Sequence, residues 1–156
     1  MADKITVQRR SYNMAQIRSK NTRPEIIVRR WLHGQGFRYR LHCNTLPGKP
    51  DIVLPRFRAV VLVNGCFWHG HEGHPCFKVP STRTEWWQRK LGRNKARDWQ
   101  HQRQLELEGW KVITLWECEL RPARFPAAMD QLKAKILGEE ESCSPIFSDS
   151  EFYPYH

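Results

Sequence analysis

The chain has 156 residues, 40% of them hydrophobic and 27% charged. That is enough for one ordinary domain with a buried core, and it excludes a disordered polyelectrolyte, a fibrous protein and a separate catalytic partner domain. Twenty-six Lys and Arg against sixteen Asp and Glu give a net charge of +10, so a polyanionic partner is expected, nucleic acid ahead of an anionic membrane.

No run approaches the ~18 apolar residues of a spanning helix, and the N-terminus lacks an apolar secretory core, so a soluble, cytoplasmic protein is expected. Residues 1–22 read as a basic N-terminal arm in which Ser11 caps a short helix carrying Met14 and Ile17 one turn apart. The folded domain is expected over 23–138. Thr22-Arg23-Pro24-Glu25 matches a capping box, and the apolar pairs Ile27/Trp31 and Val28/Leu32 follow before Gly34 and Gly36. Phe37, Tyr39 and Leu41 alternate as a strand. The turn Leu46-Pro47-Gly48-Lys49-Pro50 precedes two adjacent apolar strands at 51–54 and 59–63.

A polar, metal-rich loop occupies about 64–83, a basic helix runs from about Thr84 to Glu108, and Gly109 ends it. Trp110 to Trp116 reads as a buried strand, and Met129, Leu132 and Ile136 mark the last helix after a Pro-broken segment at 122–126. Trp31, Trp86, Trp99, Trp110 and Trp116 are assigned to the core on composition. Residues 139–156 read as an acidic flexible tail. The order of elements gives an α/β layout with a mixed sheet covered on both faces.

Five cysteines without an export signal argue for metal ligation plus spare thiols rather than a disulfide framework, with Cys43 and Cys143 as the spares. Residues 66–76 hold Cys66, His69, His71, His74 and Cys76, and Cys118 follows the later strand. Cys66, His71, Cys76 and Cys118 would give structural zinc a closed tetrahedral shell of three thiolates and one imidazole. His74 competes with His71 as the nitrogen ligand. If the zinc takes His71, His69 is left free for proton transfer. Asp51 starts an apolar strand and would reach a divalent ion; a carboxylate, a backbone carbonyl such as that of Val63 and phosphate oxygens suffice for magnesium. The plainer roles remain open: Asp51 as a turn cap, Glu25 as a member of the capping box, and Asp98 as a helix partner of Arg93, Lys95 or Arg97.

Taken together, Arg10-Ser11-Tyr12-Asn13-Met14, Leu46-Pro47-Gly48-Lys49-Pro50-Asp51, Asn64-Gly65-Cys66-Phe67-Trp68-His69, Phe77-Lys78-Val79-Pro80-Ser81-Thr82-Arg83, Asn94-Lys95-Ala96-Arg97-Asp98 and Trp116-Glu117-Cys118 resemble the very-short-patch mismatch repair (Vsr-type) endonucleases of bacteria. The resemblance spans about residues 8–120. It implies a restriction-endonuclease-like, three-layer α/β/α fold of the PD-(D/E)xK superfamily, with an added structural zinc loop. It further implies a magnesium-dependent enzyme that nicks one DNA strand beside a T:G mismatch left by deamination of 5-methylcytosine. In this reading the protein is a monomer near the nucleoid, and mismatch-repair proteins and a repair polymerase act with it.

The site residues implied by the resemblance are Asp51 and the Val63 carbonyl on magnesium, His69 for the proton, and Glu25 and Asp98 on metal-bound water. Cys66, His71 and Cys118 fall on zinc-ligand positions, whereas the loop is one residue longer than the family pattern at Cys76. Asn64 stands where a second catalytic imidazole is expected; it can hydrogen-bond water but cannot carry a proton at neutral pH. The acid-x-Lys of the wider superfamily is absent, as it is throughout this family. The resemblance also implies that Phe67, Trp68 and Trp87 intercalate in the duplex, with Met14 and Ile17 entering from the minor groove, a wedge that unstacks a weak wobble pair at low cost. Two rival readings are a non-catalytic, zinc-stabilised DNA-binding module and a restriction-type endonuclease for intact duplex.

Overall fold

A computed structural model describes residues 6–9 and 20–139. Ser11, Met14, Ile17, Cys143 and nearly all of the acidic tail lie outside the described residues. Helix α1 (Arg23–Gly34) leads to strand β1 (Arg40–Leu41). Next come β2 (Ile52–Leu54), a 3-10 turn at Pro55–Phe57 and β3 (Ala59–Asn64). Helix α2 (Thr84–Leu107), β4 (Lys111–Trp116), a 3-10 turn at Glu117–Leu120 and α3 (Phe125–Leu137) complete the order.

The N-terminus of α1 forms as the capping box dictates, with one shift. The Thr22 hydroxyl accepts from the Glu25 N–H at 3.5 Å, while the Glu25 carboxylate takes the Asn21 N–H at 3.0 Å instead of that of Thr22. Pro24 sits in the first turn, where no intrahelical donor is lost. Val28 and Leu32 are fully buried and carry the helix onto the sheet. Leu32→Ala would cost ~2–5 kcal/mol.

The strands lie in the order β1-β2-β3-β4. β2 and β3 pair antiparallel, Val53 opposite Val60, and β3 pairs parallel with β4, Val61 opposite Ile113. A parallel pair needs a long crossover, and the zinc loop with α2 provides it. Every residue of β2 and all but Leu62 of β3 are buried. On one face Ile52, Leu54, Val61, Val63, Ile113 and Leu115 pack with α1 and α3 through Val28, Leu32, Met129, Leu132 and Ile136. The opposite face is thinner, with Val53 and Val60 against Leu105 of α2. The result is three layers, helix, mixed sheet and helix.

Two expectations are corrected. Trp86 is 41% exposed and Trp99 64% exposed, so neither is a core residue. The stretch from Phe37 to Leu41 pairs only at Arg40 and Leu41, because Phe37 is drawn into the larger core directly after α1. Among the described residues, no helix is long and apolar enough to cross a membrane.

Candidate active site and metal centre

Helix α2 buries only Leu91 and Leu105. Its inward face is nevertheless a regular stripe: Trp87, Leu91, Asn94, Asp98, His101 and Leu105 alternate in steps of four and three, which puts them on one side. The stripe starts at an aromatic cluster, passes the zinc loop and ends on the sheet. Asn94 Nδ2 donates to the Trp68 carbonyl at 3.2 Å, and Asp98 Oδ2 lies 2.6 Å from His69 Nδ1. Trp86 and Trp99 fall one position off this stripe, which is why solvent reaches them. Glycine suits position 70: its φ is +61°, strained for other residues, and a Cβ would push aside the Lys95 side chain of α2, 2.8 Å away.

Asp51 leads into β2. The preceding turn packs against α2 so closely that a Cβ on Gly48 (φ +73°) would lie 2.8 Å from His101 Cβ. Asp51 Oδ2 accepts the Val63 N–H at 2.9 Å, which ties the carboxylate to the next strand. This amide is the contact that the structure records between Asp51 and Val63. Burial, opposed by this hydrogen bond and reinforced by the nearby Glu25, pushes the Asp51 carboxyl from 3.8 up to about 6. The His69 ring works in the opposite sense.

Glu25, Asp51, Val63, Asn64, His69 and Asp98 all line one cavity of about 1280 Å³. Asp98 is engaged with His69 and not with the arginines or lysine of its own helix. Fixing Nδ1 against a carboxylate selects one tautomer and leaves Nε2 for proton transfer. Sequence reasoning missed His42, which stands beside this group with Nε2 3.5 Å from Glu25 Oε2. No local signal marks it: Leu41 pairs Ile52, and only this register brings the residue just after β1 opposite Asp51.

The sulfur-rich cluster is separate in composition. Cys66, His71, Cys76 and Cys118 each place a ligand atom within 4.8 Å of the others. His71 Nδ1 lies 3.2 Å from Cys76 Sγ and 3.5 Å from Cys118 Sγ. With Zn–S of ~2.3 Å and Zn–N of ~2.0 Å, the N–S edge of a tetrahedron is about 3.5 Å, so the set fits zinc with small adjustments. His71, not His74, faces the sulfurs. Its ring is stacked between Trp116, at 4.0 Å, and His74, at 3.8 Å. Burial and the neighbouring His74 lower the His71 pKa, favouring the neutral ring that ligates metals. Burial pushes the Cys66 thiol up to about 12, so metal binding here releases protons. The four described cysteines are free thiols, and Cys43 packs beside the smaller core, apart from this cluster.

Phe67 meets Trp68 and Trp87 edge to face, with ring centroids 5.0 and 5.3 Å apart, and Trp68 and Trp87 are tilted against each other at 5.9 Å. Phe67 and Trp68 are held by the zinc-ligand loop and Trp87 by the start of α2, so a half-buried aromatic ridge stands beside the cavity. Lys90 Nζ lies 5.7 and 5.8 Å from the Trp68 and Trp87 rings.

The sequence model of the family described as DNA mismatch endonuclease Vsr matches residues 2–76. The type II nicking enzyme V.XorIIP of Xanthomonas oryzae pv. oryzae is 50% identical over 120 residues, covering 77% of this chain and 88% of that protein. The type II nicking enzyme V.NmeAIP of Neisseria meningitidis is 45% identical, over 78% of this chain and 86% of its own length. The DNA mismatch endonuclease Vsr of Escherichia coli K12 is 43% identical over 145 residues, 91% of this chain and 92% of that enzyme.

Proposed function

The chain belongs to the Vsr family of DNA mismatch endonucleases, and from that premise we propose that it nicks one strand of duplex DNA beside a T:G mismatch, with Asp51 holding magnesium and His69 moving the proton. The observation that carries this reading is the convergence of Asp51, Glu25 and the His69–Asp98 pair on one cavity beside an aromatic ridge. Magnesium, when bound, withdraws charge from a scissile phosphate and makes water more acidic. Two carboxylates, one of them reluctant to ionise without a counter-charge, suit a divalent cation. The Val63 carbonyl would supply a further oxygen.

Asp98 holds His69 Nδ1 and so steadies an imidazolium when Nε2 takes a proton. Asn64, lining the same cavity, positions water by hydrogen bonding and leaves the proton to His69. Phe67, Trp68 and Trp87 enter the duplex as a preassembled wedge; unstacking costs least at a wobble pair, and stacking returns ~1–3 kcal/mol per base. Lys and Arg along α2 neutralise flanking phosphates. Cys66, His71, Cys76 and Cys118 would hold a structural zinc, which would tie the loop that carries the wedge to the turn after β4 without entering the chemistry.

The test supplies magnesium to the zinc-loaded protein and compares strand-labelled T:G and T:A duplexes. A single nick confined to the T:G duplex is expected. No product would favour a binding module, and a double-strand break in matched DNA would favour a restriction-type enzyme.

A further inference from the structure

His42 is the residue near the cavity that the family reading leaves without a task. The β1–β2 ladder closes with the His42 N–H donating to the Asp51 carbonyl at 3.2 Å. At that point the backbone turns left-handed, with φ 47°, a conformation that non-glycine residues adopt uncommonly and at a cost. The imidazole is mostly buried, its Nε2 withdrawn from solvent and without a hydrogen-bond partner among the described residues. Buried ring nitrogens are rarely left so. Glu25 Oε2, 3.5 Å away, already accepts from Asn21, and it does not close a hydrogen bond with the ring.

One nitrogen and two carboxylate oxygens, from His42, Glu25 and Asp51, lie within 4.8 Å of one another. At metal–ligand bonds of ~2.1 Å, neighbouring and opposite ligands of an octahedron are roughly 3.0 and 4.2 Å apart, so one cation reaches all three with small side-chain movement. A cation also answers both oddities together: it partners the lone pair on Nε2 and neutralises two crowded acids. We propose that His42 is a direct nitrogen ligand of the divalent cation at the Asp51 site, making an Asp–Glu–His centre that prefers manganese to magnesium. The inference rests on the placement of the catalytic cation at Asp51 and adds a ligand to it. Magnesium favours all-oxygen shells, whereas imidazole suits transition metals, so a nitrogen in the shell shifts the preference.

The experiment uses zinc-loaded full-length protein with manganese as the probe, read by electron spin-echo modulation and by titration. Wild type should show the modulation of a directly bound nitrogen, His69→Gln should keep it, and His42→Gln should lose it. Removing even an outer partner of a metal costs on the order of 10-fold in affinity, so His42→Gln should weaken manganese binding by at least that much. Magnesium affinity, read by competition, should fall far less. His42→Asn serves in the same way should the glutamine variant fold poorly. A wild-type manganese signal without nitrogen modulation, or modulation that survives loss of His42, overturns the proposal. Asp51→Asn separates the two claims: if it still binds manganese as wild type does, the underlying cation placement fails, whatever His42 does.

Discussion

Replacing Asp51 with Asn should stabilise the magnesium-free protein while destroying its activity. The Oδ1 atom of the introduced amide can still accept the Val63 N–H, so what is lost is the buried charge. Asp51 is pushed from 3.8 up to about 6, mainly by burial. The folded state therefore binds this proton more tightly than the unfolded state does. The stability contributed by that extra affinity is fully present below pH ~4 and is lost as pH rises through about 6. Between pH 5 and pH 7.5 this amounts to a loss on the order of 1 kcal/mol in wild type, which the Asp51→Asn variant does not share. For a protein of this size that is on the order of a few °C in Tm. Thermal or urea unfolding of zinc-loaded protein with magnesium omitted measures it. The Asp51→Asn advantage should widen from pH 5 to pH 7.5 and shrink when magnesium is added to wild type. An advantage that is constant with pH, or narrows as pH rises, would refute the argument that this carboxyl is held in place at an electrostatic cost.

Asp98→Asn should lower single-turnover nicking by roughly 10–100-fold with little change in duplex affinity, because it disturbs the His69 tautomer but touches no DNA-facing ring; His69→Ala should cost more, within the ~10²–10⁴ range of a lost proton carrier. Equal rates in Asp98→Asn and wild type would remove the pair from the mechanism. Trp68→Ala should cost ~1–3 kcal/mol of binding to the T:G duplex and less on T:A, read by titration; an unaltered T:G over T:A preference would dismiss the wedge. Cys118→Ser should lower zinc content, seen by metal analysis, and the melting temperature. Full zinc and an unchanged melt would exclude Cys118 as a ligand.

Much of the layout was legible because its causes are local. The Thr22 cap, Pro24 and the Val28/Leu32 pair define α1 within a dozen residues, and the apolar runs of β2 and β3 leave them no place but the centre of the sheet. What the chain alone hides is register across distance. Residues 43–50 separate His42 from Asp51, so their pairing emerges only once the hairpin closes. Likewise His71 and His74 are equivalent by spacing, and the stacking of the distant Trp116 ring on His71 helps decide which faces the sulfurs. Trp86 and Trp99 were misjudged because composition was weighed over phase: in a helix whose inner stripe passes through Trp87 and Asp98, the residue one step away faces out.

The central claim is that chemistry resides at Asp51 while recognition resides elsewhere on the same protein. Single-turnover cleavage of a T:G duplex by zinc-loaded Asp51→Asn, with affinity for the same duplex measured alongside, tests it most directly. The account predicts wild-type binding with no magnesium-dependent nick. A nick made at the wild-type rate would contradict it.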